Sequence, residues 1–219
     1  MNNYHISNKG TTALFNNKFL EKLTRTHVAV PIVMYLAVAA SIFIYAGFHT
    51  GLSLLRSLYL IPLGMITFSL VEYTIHRFLF HFEAKTERQQ QFKYKIHGVH
   101  HEYPRDKERL VMPPVISIVL AVFFYYIFRL LMNDTVYLFY PGFLAGYCVY
   151  LTIHYAVHRF RPPKNFLKIL WTHHALHHYK ADDTAFAVSL PIWDHLFGTV
   201  PPRGDRSFNE SKEKLSEIL

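Results

Sequence analysis

Cysteine is nearly absent from this chain of 219 residues, which contains only Cys148. A single cysteine allows no intramolecular disulfide and no cysteine-based zinc or iron–sulfur site. One thiolate is enough to bind a haem, but Cys148 lies within an apolar run, where a small buried residue is the ordinary interpretation. Any other metal that the protein binds must therefore be held by different side chains.

Charge is also scarce: Asp, Glu, Lys and Arg make up 17% of the residues, and 51% are hydrophobic. The apolar residues concentrate in four runs, Val28–Ala46, Ser57–Ile75, Pro114–Met132 and Val136–Val157. Each run is close to the roughly 20 residues that cross a bilayer as a helix. Helices of a soluble bundle usually keep a polar face, whereas these runs are apolar all round. They therefore predict four transmembrane helices.

The basic residues are unevenly distributed, which indicates a membrane rather than nucleic acid as the partner. The chain has 23 Lys and Arg against 15 Asp and Glu, a formal net charge of +8. Of the 23, 21 lie in residues 1–27, 77–109 and 159–219, and the two short connections hold only Arg56 and Arg129. Because Lys and Arg favour the cytoplasmic side of membrane proteins, we expect these three segments and both termini to be cytoplasmic.

Histidine is abundant instead, and eleven of the fifteen histidines form four clusters. The clusters are His76 and His81; His97, His100 and His101; His154 and His158; and His173, His174, His177 and His178. Because positions i, i+3 and i+4 share a helix face, we expect each H-x-x-H-H motif to direct three imidazoles to one point. The first pair is five residues apart, so it needs a helix end or a bulge to point both rings inward.

All four clusters fall on the predicted cytoplasmic side, where they would meet. Imidazole binds iron, zinc and copper well, and one such ion takes at most about six ligands. Ten convergent histidines therefore predict a two-metal site. The predicted fold is all-α, with four transmembrane helices and a cytosolic helical cap that holds this site. The predicted divisions are a cytosolic N-terminal tail (1–27), a membrane-embedded domain (28–200) and a cytosolic C-terminal tail (201–219).

The nature of the ligands indicates the chemistry. A set of neutral imidazoles adds no negative charge, which keeps bound iron electron-poor and suited to activating O₂. Hydrolytic metal sites usually use carboxylates or a mixed ligand set with an open water position. A site at the membrane face also favours a lipid-soluble substrate.

Several other side chains are candidates for supporting the ligands. Glu72 lies one turn before His76, and it is equally compatible with fixing a ligand histidine and with an exposed carboxylate. His173 falls outside the H-x-x-H-H register, which favours a supporting role. Three further carboxylates follow the last cluster, where a solvated group or helix cap is the ordinary interpretation: Asp182, Asp183 and Asp194.

The four remaining histidines are isolated in the sequence. We expect His5, His27 and His49 to lie on the surface. His195 neighbours Trp193 and Asp194, and we expect it to have a structural role.

Three segments carry a family resemblance: HGVHHEYPRDKERLVMPP (His97–Pro114), HYAVHRF (His154–Phe160) and LKILWTHHALHHYKADDTAFAVSLPIWDHLFGT (Leu167–Thr199). In order and spacing they resemble the fatty acid hydroxylase/sterol desaturase superfamily of integral-membrane di-iron enzymes, and within it the fatty acid 2-hydroxylases. The histidine pattern is specific to the superfamily. The RLVMPP and WD…F-x-T pieces indicate the subgroup.

The resemblance implies two iron ions, replaceable by zinc in purified protein, with O₂ as co-substrate. It implies hydroxylation at carbon 2 of a long acyl chain, free or within a ceramide or sphingolipid, with no catalytic residues beyond the metal ligands. Some relatives carry a fused cytochrome b5 domain, for which this chain is too short. The resemblance therefore also implies a separate electron donor of cytochrome b5, ferredoxin or flavoprotein type. The implied metal ligands are His76, His81, His97, His100, His101, His154, His158, His174, His177 and His178.

Two alternatives remain. A carotenoid or sterol hydroxylase or desaturase of the same superfamily would share every histidine. A membrane metal transporter or sensor would also contain histidines, but a transporter places its ligands near mid-membrane. The clusters here lie at the ends of predicted spans and in polar segments, which favours an enzyme.

Overall fold

The computed structural model describes residues 5–49 and 53–201, and this part of the chain is helical, with no β-strand. Two π-helical turns, His76–Phe80 and Tyr94–Gly98, and a 3₁₀ turn, Asn133–Thr135, interrupt the α-helices. The α-helices are α1 (Lys18–Leu23), α2 (Ala29–His49), α3 (Leu54–Ile75), α4 (Glu87–Lys93), α5 (Val99–Glu102), α6 (Pro114–Met132), α7 (Val136–Arg159), α8 (Lys168–Tyr179) and α9 (Ile192–Leu196). The predicted C-terminal tail, apart from Pro201, lies outside the described residues.

Three helical segments of the described chain are long and apolar enough to cross a membrane: Ala29–His49, Leu55–Phe80 and Pro114–Arg159. The third is 46 residues long and contains two of the four predicted runs, α6 and α7. The all-helical class and the membrane character are thus confirmed, with three candidate spans.

The chain divides into two units, which are described separately here. The apolar unit comprises residues 12–71 and 107–152 and contains α2, α6, most of α3 and most of α7. Helix α6 leaves most of its large apolar side chains exposed, as a lipid-facing helix does. These are Val115, Ile116, Ile118, Val119, Val122, Phe123, Tyr126, Leu130 and Leu131.

Helices α6 and α7 pack against each other with opposite chain directions. The Tyr140 hydroxyl donates to the Ala121 carbonyl at 2.5 Å, and the rings of Phe128 and Phe139 lie 4.9 Å apart. Asn133 turns the chain between them with a φ of 50°, which asparagine adopts more readily than most residues. The long third segment is therefore bent at this turn.

Glycines let α3 and α7 approach at backbone distance. A Cβ added to Gly142 would overlap the carbonyl oxygen of Ile61, and one added to Gly64 would overlap that of Phe139. A Cβ on Gly146 would come within 2.8 Å of the Phe68 Cβ. Gly142 and Gly146 have the small-x-x-x-small spacing that brings membrane helices together, a signal that the sequence analysis did not use.

The segment predicted as an N-terminal tail is partly folded in this unit. Arg109 is buried and contacts both the Glu21 carboxylate of α1, at 2.5 Å, and the Thr12 carbonyl. Burial alone would raise the pKa of Glu21, but N–H bonds from Leu14 and Phe15 and the charge of Arg109 lower it overall.

The glycine contact generates a prediction. Gly142→Ala should destabilise the protein by about 1–3 kcal/mol, because the new methyl group meets backbone that has no rotamer to change. The measurement is thermal unfolding of the purified protein in detergent. Val149→Ala, at an exposed position on the same helix, is the control and should leave the unfolding temperature nearly unchanged. Equal unfolding temperatures for both variants would contradict a close α3–α7 contact.

Candidate metal centre

The second unit comprises residues 72–106 and 153–201 with a short N-terminal stretch, and it contains all eleven clustered histidines. Ten of them form two groups of five, and within each group the potential ligand nitrogens all lie within 4.8 Å of one another. Group one is His76, His81, His97, His101 and His177; group two is His100, His154, His158, His174 and His178. These ten are the residues that the resemblance implies as ligands.

Each H-x-x-H-H motif contributes to both groups, so the expectation that a motif directs three rings to one point is wrong. His97 and His101 belong to group one, and His100 between them belongs to group two. In the second motif the assignment is reversed, and only His177 enters group one. At 3.6 residues per turn, positions i and i+4 diverge by about 40°, whereas i+3 and i+4 diverge by about 100°. That wider angle is enough to send neighbouring histidines to different centres.

The π-helical turn His76–Phe80 accounts for the five-residue spacing of the first cluster. The His81 N–H donates to the His76 carbonyl at 3.1 Å, which is the i→i+5 bond of a π-helix. The ring centroids of His76 and His81 lie 5.0 Å apart as a result. The predicted bulge is thus confirmed, and it brings both rings into group one.

Nitrogen–nitrogen distances in both groups fit a coordination shell. In group one, His97 Nε2 lies 3.1 Å from His76 Nε2 and 3.0 Å from His101 Nε2. In group two, His100 and His154 are 3.1 Å apart at Nε2. Metal–imidazole bonds of about 2.0–2.1 Å place neighbouring ligands of one ion about 3 Å apart. The donor set therefore fits one metal ion in each group.

Six of the ten grouped histidines are held in the neutral form that binds metal. Burial lowers the pKa of His97, His100 and His101 well below the usual value, and neighbouring imidazoles lower it further. The same two causes act on His174, His177 and His178. His178 Nε2 is buried with no hydrogen-bond partner among the described residues, so its lone pair is free to bind a metal.

The segment Thr184–Ser189, which is buried from Ala185 to Val188 and is here called the clamp segment, holds two rings of group one. His177 Nδ1 donates to the Thr184 carbonyl at 2.7 Å, and His76 Nδ1 donates to the Phe186 carbonyl at 2.5 Å. A carbonyl can only accept, so both rings carry their proton on Nδ1 and present Nε2 to the group. The sequence analysis did not identify this segment, because every residue has a backbone carbonyl and no side-chain pattern distinguishes those that bind histidines.

Two carboxylates hold the clamp segment in turn. Asp194 accepts N–H bonds from Phe186 at 2.9 Å and Ala187 at 2.8 Å. Glu72 accepts from the backbone N–H groups of Val188 and Ser189 and from the Ser189 hydroxyl, rather than from a ligand histidine. Both carboxylates thus act on histidines of group one through the backbone of the clamp segment.

Asp194 also binds His173, the clustered histidine that belongs to neither group. His173 Nε2 lies 2.8 Å from the Asp194 carboxylate, which accepts a further bond from the Thr199 hydroxyl at 2.7 Å. Burial would raise the pKa of Asp194, but the bonds from His173 and Thr199 and the Ala187 N–H lower it overall. The carboxylate that binds the N–H groups of the clamp segment is therefore charged.

The remaining candidates lie outside this arrangement. Asp182 is half-buried near Lys93, whose pKa is lowered by burial and partly restored by this carboxylate. Asp183 is exposed. The isolated histidines His5, His27, His49 and His195 are all exposed.

A cavity reaches group two. His158, His174 and His178 line it, together with Arg105, Val157, Trp171, Ala175 and Tyr179. The Trp171 indole N–H donates to the Phe160 carbonyl at 2.9 Å, which fixes this ring at the cavity wall.

Comparison with known proteins identifies the family. The sequence profile described as fatty acid hydroxylase matches residues 61–199, more than half of the chain and all ten grouped histidines. The chain belongs to the fatty acid hydroxylase family. This result confirms the resemblance found in the sequence.

Curated relatives and a solved structure agree. Ceramide very long chain fatty acid hydroxylase scs7 of Schizosaccharomyces pombe is 36% identical over 90% of this chain, which spans 57% of that protein. Dihydroceramide fatty acyl 2-hydroxylase FAH2 of Arabidopsis thaliana is 34% identical over 85% of this chain and 79% of that protein. The solved structure of full-length scs7p, with only the hydroxylase domain visible, superimposes with a TM-score of 0.81 at 35% identity, covering 89% of this chain and 74% of that one.

The grouping predicts which histidines matter for metal binding. His100→Ala and His177→Ala should each lower the metal content of purified protein, because each removes a buried nitrogen from one group of five. His5→Ala and His49→Ala change exposed rings outside both groups and serve as controls. Metal content per chain, measured by plasma mass spectrometry, should match the wild type for the controls alone. Equal losses in all four variants would contradict the assignment of the groups.

Proposed function

We propose that this protein is an O₂-dependent di-iron hydroxylase that adds a hydroxyl at carbon 2 of a long acyl chain, either free or within a ceramide or sphingolipid. The observation that carries the proposal is the pair of five-histidine groups in a chain of this family. The names of its relatives, which are ceramide and dihydroceramide fatty acyl hydroxylases, support the acyl substrate and carbon 2.

Iron bound by the two groups would supply the activation of O₂ that hydroxylation of an unactivated C–H bond requires. The chain itself supplies neutral ligands, their orientation and a buried setting. Burial lowers the pKa of His97, His100, His101, His174, His177 and His178, which keeps these rings unprotonated, and the clamp segment fixes the tautomers of His76 and His177. Zinc suits the same nitrogens, so purified protein is expected to contain it where iron is limiting.

We further propose that the chain spans the membrane four times, with the metal centre and both termini on the cytoplasmic side. The bend at Asn133 and the opposed packing of α6 and α7 support two spans within the long third segment. The distribution of Lys and Arg supports the orientation.

The reaction also needs reducing electrons. Inserting one oxygen atom of O₂ into a C–H bond and releasing the other as water consumes two electrons and two protons. Imidazole side chains do not supply electrons, so we propose a donor protein of cytochrome b5, ferredoxin or flavoprotein type. Arg105, which lines the cavity at group two, is suited to an acidic donor surface.

The reaction itself is the principal prediction. Cells that express the protein with long-chain acyl or sphingolipid substrate should accumulate acyl chains heavier by one oxygen and hydroxylated at carbon 2. The added oxygen should carry label from ¹⁸O₂ and not from labelled water, as measured by mass spectrometry of the lipids. His100→Ala is the matched inactive control.

Other products would separate the alternatives. Oxygenated sterols or carotenoids without 2-hydroxy acyl chains would contradict the proposed substrate and leave the oxygenase chemistry intact. If no lipid gains oxygen with iron, O₂ and a working donor present, the enzymatic function is wrong.

The orientation is tested by cysteine labelling in intact cells, after replacement of Cys148 by alanine. Lys9→Cys and Lys95→Cys place thiols at exposed positions expected to be cytoplasmic, so a membrane-impermeant reagent should not label them. Asp134→Cys lies at the exposed turn between α6 and α7 and should be labelled from outside. Labelling of Lys95→Cys without permeabilisation would contradict the proposed cytoplasmic site.

A further inference from the structure

The two histidine groups differ in what holds the ring nitrogens that face away from the metal position. In group one, the Nδ1 atoms of His76 and His177 donate to backbone carbonyls of the clamp segment. In group two, the Nδ1 atoms of His100, His174 and His178 are buried and have no hydrogen-bond partner among the described residues. A bond to the second nitrogen fixes the orientation of a ligand histidine and raises its basicity. Group one is therefore the better oriented of the two.

The carbonyls that hold group one are themselves fixed. Consecutive N–H groups of the clamp segment all have acceptors: Ala185 donates to the Thr199 carbonyl at 2.8 Å, the next two residues to Asp194, and Val188 to Glu72 at 2.7 Å. Ala185 is fully buried and has a φ of 55°, which costs energy for a residue with a Cβ. This conformation persists because the surrounding bonds impose it.

Asp194 is the central support of the clamp segment. Its carboxylate is fully buried and accepts from Phe186, Ala187, Thr199 and His173. The Phe186 peptide thus has its N–H near Asp194, while its carbonyl accepts from His76. Asp194 touches no ligand of either group in these bonds, so it acts on group one as a positioning residue.

The described bonds of the clamp segment reach histidines of group one, and a cavity reaches group two. Three histidines of group two, His158, His174 and His178, line this cavity. A cavity gives water and small chelators a route to a metal and lowers the barrier to its release. The fixed ring orientation in group one and the cavity at group two therefore both favour slower release of a metal from group one.

We propose that the two metal positions are inequivalent, and that Asp194, through the clamp segment, makes a metal in group one slow to leave while a metal in group two leaves first. This inference rests on the proposed two-metal function. It predicts one tightly held and one exchangeable ion in each chain.

The experiment uses full-length protein in detergent, loaded with zinc as a redox-inactive probe. Plasma mass spectrometry should give two zinc ions per chain. After addition of excess chelator, an indicator dye should report two phases of release with one zinc in each. His174→Ala should lose the fast-released zinc, and His81→Ala should lose the slow-released one.

Asp194→Asn tests the cause. It keeps the size of the side chain but removes the carboxylate, and it should accelerate the slow phase by about 10- to 100-fold while leaving the fast phase unchanged. Asp183→Asn, an exposed carboxylate beside the clamp segment, is the matched control and should release zinc as the wild type does. Should Asp194→Asn fail to fold, Thr199→Val removes one of the bonds to Asp194 and should give a smaller acceleration of the slow phase alone.

The outcomes are distinguishable. Two zinc ions released at a single rate would overturn the inequivalence while the two-metal proposal stands. Acceleration of both phases by the Asp194 or Thr199 variant, or of neither, would overturn the role of Asp194. A wild-type zinc content near one with all ten histidines intact would overturn the two-metal proposal on which the inference rests.

Discussion

The structure depends on ten imidazoles, eight of them buried and two half-buried, whose ring nitrogens face one another in two groups. Nitrogens of group two approach to 2.7 Å between His158 and His174, and those of group one to 3.0–3.1 Å. Facing nitrogens that must mostly present lone pairs cannot satisfy each other, so this arrangement is costly without a shared cation. The π-helical turn, the buried carboxylates and the clamp segment all serve to hold rings in positions that only a metal makes favourable.

Membership of the site was predictable from the sequence, but its division into two groups was not. The ten ligand candidates follow from local spacing and resemblance, and every one lies in a group. The spacing of histidines predicts which of them share a helix face, but it does not predict which residues of other segments pack against that face. His100 and His101 are adjacent in the chain but belong to different groups, because His100 contacts His154 and His101 contacts His97. Long-range packing therefore decides the partition.

The role of the two buried carboxylates was also only partly predictable from the sequence. Glu72 and Asp194 were identifiable as candidates from their positions near the clusters, but the route by which they reach the ligands was not. Both bind N–H groups of a non-helical segment whose carbonyls then bind histidines. Backbone groups are the same at every residue, so no side-chain pattern marks such a segment. By contrast, Gly142-x-x-x-Gly146 was a readable signal of close helix packing.

The two H-x-x-H-H motifs couple the positions of the two groups, because each motif supplies histidines to both. Helix α8 provides two ligands to group two and one to group one, and the segment around α5 does the opposite. His101 of group one stacks on His178 of group two with centroids 4.1 Å apart and planes 18° from parallel. A shift of either helix therefore moves histidines of both groups together. Because the two groups are equal in the number and kind of side chains, any difference in how they would hold a metal must arise from the bonds and cavities outside them.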